Sequence, residues 1–163
     1  MTIANRRRVL LAFGFAAAAA AQAQVPGADA LPAGVQKIPP DRLAHYWLLV
    51  PESAQANAPN SGAGLNTPTC VAVSYVIEKN GTTSHVKLEK AIPPGPLAKV
   101  AANVVKGMRF APTRDNAAKD PVFTYVVVPF NAPGAESTAP SDRAERKRVI
   151  DPCNLADFPA PAK

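Results

Sequence analysis

The stretch CVAVSYVIEKNGTTSHVKLEKA, Cys70 to Ala91, reads as two strands folded back over Asn80-Gly81. Val71, Val73, Tyr75 and Ile77 alternate with Cys70, Ala72, Ser74 and Val76, the period of two that a half-buried strand requires. Asn-Gly supplies the two positive-φ positions of a type I′ turn, and that turn sets the register. It pairs Tyr75 with Val86, Val73 with Leu88 and Ile77 with Ser84, so both strands put their large apolar side chains on one face. The other face pairs Val76 with His85, Ser74 with Lys87 and Ala72 with Glu89, and is mostly polar. A slip of one residue would destroy this agreement.

A hairpin with one apolar face must bury it against something. After Pro93-Pro94-Gly95-Pro96, Leu97, Val100, Ala101, Val104, Val105 and Met108 recur at helical spacing. Pro96 suits the first helical position and Gly107 the C-cap, while Lys99, Asn103 and Lys106 fall on the outer side. Phe110 and Pro112 then lead through the polar loop TRDNAAKD to PVFTYVVVPF, where Val122 to Phe130 has the propensity of a third strand. Pro129 lacks an amide hydrogen and belongs at a strand end or an edge. The fold class expected is α+β: a small ββαβ unit, three antiparallel strands with one helix on one face.

The chain has 163 residues, 47% of them hydrophobic, with 18 prolines and 6% aromatics. This fits one modest domain with irregular flanks. Arg6, Arg7 and Arg8 precede an apolar run from Val9 to Ala21, and Ala21-Gln22-Ala23 has the form of a signal-peptidase site. A helix over that run rises about 20 Å, short of the roughly 30 Å hydrocarbon core, which favours a cleaved signal over an anchor. Asn5 to Leu10 also fits a loose twin-arginine pattern, so Sec and twin-arginine export both stay open. Residues 1–23 are therefore read as a cleavable signal, 24–69 as leader and linker with an ordered segment at 41–50 (helix or strand), 70–131 as the domain, and 132–163 as a tail. Ser141 is placed to cap a short polar helix from Asp142 to Val149 in that tail.

The formal charge of +6 falls to about +3 once the three signal arginines are removed from 18 basic residues against 12 acidic. That balance does not argue for nucleic acid. Arg143, Arg146, Lys147 and Arg148 are interleaved with acids and read as a solvated helix face; contact with an acidic lipid surface is the alternative. Two cysteines, Cys70 and Cys153, remain after export. An even count in an oxidising compartment favours a disulfide closing a loop of about 80 residues, which contributes roughly 4 kcal/mol in the chain-entropy model; two buried thiols are the alternative.

No nucleophile elbow, phosphate-binding loop, HExxH or paired-cysteine metal motif occurs. His45 and His85 stand singly, Asp115 and Asp120 lie in a loop, and the chain is read as non-catalytic, without metal or cofactor. What remains is a sheet with unpaired margins, which a protein either protects or uses to bind another strand. The last strand is the candidate: Val122, Phe123, Thr124, Tyr125, Val126, Val127 and Val128.

These residues resemble the C-terminal domain of the TonB energy transducers. The family reads as an apolar strand, a Gly turn, a second strand, a Leu-started helix ending in aromatic-Arg-Phe-x-Pro, and a last strand ending in Phe. Here the pieces are VAVSYVIEKNGTTSHVKLEKA, LAKVAANVVKGMRFAP and VFTYVVVPF. The resemblance spans Cys70 to Phe130, with Ala98 where the family has Asp and Met108 where it has an aromatic residue. It implies a periplasmic interaction module that adds a partner strand, a segment of an outer-membrane transporter, to its last strand; it also allows a homodimer paired through its edges. Three other readings stay open: an envelope accessory binding peptidoglycan or another periplasmic protein, an anchored transducer if residues 9–21 are not cleaved, and a small enzyme using His45 or His85.

Overall fold

The computed structural model describes residues 31–56 and 64–156, so residues 1–23, expected to be a cleavable signal, and the expected cleavage residues Ala21 and Ala23 lie outside the described residues. In chain order the elements are β1 (Gln36–Lys37), a 3-10 turn at Pro40–His45, β2 (Trp47–Leu49), β3 (Thr69–Ile77), β4 (Thr83–Ile92), α1 (Leu97–Gly107), β5 (Phe110–Pro112), β6 (Val122–Phe130), α2 (Pro140–Ile150) and a 3-10 turn at Asp151–Cys153. The protein is α+β. One sheet has the order β1-β6-β3-β4, with β3 antiparallel to both neighbours and β1 parallel to β6; β2 and β5 form a separate antiparallel ribbon. The sheet thus has four strands rather than three. The added one, β1, comes from a leader whose Pro, Gly and Ala composition reads as structureless.

The hairpin forms, with a different turn. Gly81 has φ +79°, whereas Asn80 is not among the positive-φ residues. Gly81 N donates to Glu78 O at 2.8 Å and Glu78 N to Thr82 O at 2.9 Å. This is a three-residue loop with a type I turn and a left-handed glycine, not a type I′ turn. Glycine is required twice over at this position, because a Cβ on Gly81 would lie 2.1 Å from Phe110 O.

The loop shifts the first pairs to Ile77 with Thr83 and Val76 with Ser84. A bulge in β4, where His85 and Val86 oppose Tyr75, restores the expected pairs Ser74 with Lys87 and Val73 with Leu88. A second bulge at Glu89 then pairs Ala72 with Lys90. His85 absorbs the first bulge with φ 49°. Each bulge adds one residue to β4 and none to β3, so the register drifts by single steps that alternation in the sequence does not reveal.

β3 is the centre of the molecule. Val71, Val73, Tyr75 and Ile77 pack with Leu97, Val100, Ala101, Val104 and Val105 of α1, and with Met108, Trp47, Phe110 and Val122. Val86 joins the margin of this core, but Leu88 is 46% exposed and does not. Trp47 is fully buried, its Nε1 donating to Asp120 O at 3.2 Å. The segment 41–50 is both structures in turn, 3-10 through His45 and strand from Trp47.

The opposite face of β3 is not solvated, which corrects the one-faced reading: all nine residues of the strand are buried. Cys70 and Ala72 pack there with Tyr125 and Cys153, under Val127, Val149 and Leu155. Cys70 and Cys153 form a disulfide, Cα to Cα 6.0 Å. Helices therefore lie on both faces of the sheet. α2 begins with Pro140 in its first turn and Ala139 as N-cap; Ser141 makes no cap, and its hydroxyl bonds to Asp142 instead. Among the described residues no helix is long and apolar enough to cross a membrane.

Candidate functional site

The backbone of β6 has two sides. Ile38 N donates to Phe123 O at 2.9 Å, so the carbonyl of Phe123 points away from β3. In a strand, alternate residues present their backbone groups to the same side, which puts Tyr125, Val127 and Pro129 outward with Phe123. Val122, Thr124, Val126 and Val128 then face β3, in register with Ile77, Tyr75, Val73 and Val71. Pro129 stands at an outward position, so its missing N–H costs the β3–β6 ladder nothing.

β1 occupies the start of this outer side. Gln36 and Lys37 lie beside Val122 and Phe123, and Gln36 N donates to Pro121 O at 3.2 Å. The expectation of an open last strand therefore needs correction at Val122 and Phe123, where the leader folds back as a parallel strand. Among the described residues no strand lies beside the outer side of β6 past Phe123. Six of the seven candidate side chains are used internally; Phe123 is half-buried and belongs to neither core cluster. Val122, Thr124 and Tyr125 are buried; Val126 and Val128 pack toward α1, and Val127 toward the disulfide.

The other margin, β4, is built differently. His85, Lys87, Leu88, Glu89, Lys90 and Ile92 are exposed, the strand carries two bulges, and its start is bridged to Arg109. Bulges and lysines are the usual protection of an edge against strand addition. Glu89 is drawn onto the sheet, accepting from Ser74 Oγ at 2.6 Å and lying 3.9 Å from Lys87 Nζ.

The two histidines have separate surroundings. His85 Nδ1 lies 2.9 Å from Ser84 Oγ, whose hydrogen goes to the Glu78 carboxylate. The imidazole must then donate to the serine, the reverse of what a base activating a nucleophile does. His45 is exposed, and its backbone carbonyl accepts from Thr113 Oγ1 at 2.5 Å. No group of three or more His, Cys, Asp or Glu stands ready for a metal among the described residues. Burial pushes the Tyr75 phenol well above its ordinary range, so it stays protonated inside the core.

Two further positions organise the region: Arg109, the arginine of the Arg-Phe-x-Pro motif, and Asn131, which the sequence reading did not single out. Arg109 Nη1 donates to the carbonyls of Met108 at 2.8 Å and Gly107 at 3.0 Å, closing the end of α1. Asn131, with φ 53°, donates to Leu65 O at 2.6 Å and Thr67 O at 3.1 Å, tying the end of β6 to the linker. The signal for Arg109 was its place just after the helix; nothing local pointed to the partners of Asn131. No protein-family model matches the chain, and no curated protein matches it.

Proposed function

We propose that this chain is an exported, non-catalytic protein-binding module of the periplasm, similar to the C-terminal domain of TonB transducers, which adds an extended partner segment to the outer side of β6. The observation that carries this reading is β1. A two-residue strand from the chain's own leader already lies along Val122 and Phe123. The outer side of β6 is thus an acceptor of extended chain, and a longer segment would replace β1 and run on past Val127. Main-chain hydrogen bonds would supply the affinity, in keeping with side chains that mostly pack inward. The Cys70–Cys153 disulfide supports an oxidising compartment. By resemblance, the partner is a segment of an outer-membrane transporter.

The test is binding of transporter plug-domain peptides to the wild type, Gln36→Pro and Val127→Pro. Gln36→Pro removes one of the two donors, with Ile38 N, that tie β1 to β6, and binding should tighten several-fold. Val127→Pro deletes an outward amide without touching the β3 ladder, and should weaken binding while the circular-dichroism spectrum stays unchanged. No binding at high micromolar peptide by either the wild type or Gln36→Pro contradicts the proposal.

A further inference from the structure

The second face of the sheet is closed in an unusual way. Among residues 131–156 one residue is buried, and it is Cys153. α2 buries none of its side chains; it meets the sheet through half-buried Val149, with Leu155 beyond it. The polar ties among the described residues include Lys90 Nζ to Pro152 O at 2.7 Å, Leu155 N to Tyr125 Oη at 3.4 Å and Arg146 Nη1 to Pro133 O at 2.8 Å, just after β6. An isolated helix of 11 residues is marginal in water even with good helix formers. What α2 covers, by contrast, is apolar: Cys70, Ala72, Tyr125 and Val127.

From this imbalance we infer that the Cys70–Cys153 disulfide is a redox latch. Intact, it holds residues 140–156 over the second face of the sheet; reduced, it lets them leave while β3, β6 and α1 stay folded. The reductant is a dithiol. Its thiolate attacks one of the two sulfurs, the Cys70–Cys153 bond breaks, and a mixed disulfide forms; the reductant's second thiol displaces the protein sulfur. The dithiol leaves as its own disulfide, and two electrons and two protons end on Cys70 and Cys153 as thiols. Because Cys70 is 1% and Cys153 0% exposed, attack waits on opening of the cover. Release uncovers the Cys70 thiol beside Ala72, Tyr125 and Val127. The inference stands whether or not β6 takes a partner strand.

The test compares the oxidised full chain, the chain reduced with dithiothreitol, and Cys153→Ser, by amide hydrogen exchange and limited trypsin digestion. Reduction should speed exchange across 140–156 by at least about tenfold and open cleavage at Arg143, Arg146, Lys147 or Arg148, with β3, β6 and α1 unchanged. Cys153→Ser should match the reduced wild type without reductant. Unchanged exchange in α2 would show that packing holds the cover. Equal acceleration in β3 and β6 would show that the bond staples the whole domain. Either result overturns the latch, and the reduced wild type decides the matter even if the variant fails to accumulate.

Discussion

The two helices have the same length and lie on opposite faces of one strand, yet the sheet holds them by different forces. α1 buries Leu97, Ala98, Val100, Ala101, Val104 and Val105, and Arg109 closes its last turn. α2 buries nothing and depends on a covalent bond just beyond its end. Each fully buried aliphatic side chain is worth about 1.5–3 kcal/mol, so α1 is fixed by many independent contributions and α2 by very few. The contrast shows where this molecule can change state: at the covalent attachment, not at the hydrophobic one.

Mutations on the two sides should therefore differ widely. Leu97→Ala should cost about 2–5 kcal/mol of unfolding free energy by chemical denaturation, since it removes a buried side chain at the start of α1. A loss below 1 kcal/mol would mean that α1 is no better seated than α2. Thr124→Val should act in the other direction. Among the described residues the Thr124 hydroxyl, buried against the α1 side, has no hydrogen-bond partner, and removing it should stabilise by about 1 kcal/mol. Val149→Ala should be the smallest change, under about 1 kcal/mol, because the side chain is only half-buried. A large loss there would give α2 a packing role the geometry does not show.

Alkaline pH probes the α1 side separately. The folded state holds the Tyr75 proton more tightly than the unfolded chain does, because burial disfavours the phenolate. Its contribution is fully present below pH 10 and is lost as pH rises beyond it. Stability measured between pH 9 and about 11 should fall in the wild type and fall less in Tyr75→Phe.

The elements with strong periodicity were legible in the sequence: the hairpin, α1 with its whole apolar stripe, and β6. The rest was not, for physical reasons. Asn-Gly suits a type I′ turn, but only Gly81 had to take positive φ, so the residues also fit a longer loop. The bulges at His85 and Glu89 leave the alternation of β4 intact in sequence while shifting its register. β1 has no pattern of its own; Gln36 and Lys37 are strand only because β6 lies beside them. The two-sided burial of β3 did leave a trace, since CVAVSYVI is almost continuously apolar, with small residues toward α2. That trace was read as one face because the cover comes from residues far along the chain. The candidate strand was identified, but the occupant of its first two positions was not.

The most direct measurement of the functional account is residue-level hydrogen exchange on β6, with and without a transporter plug peptide. The account predicts that the outward Val127 amide becomes protected on binding while the inward amides of Val126 and Val128 stay as they were. Protection that appears on β4 instead, or nowhere in the sheet at saturating peptide, would contradict it.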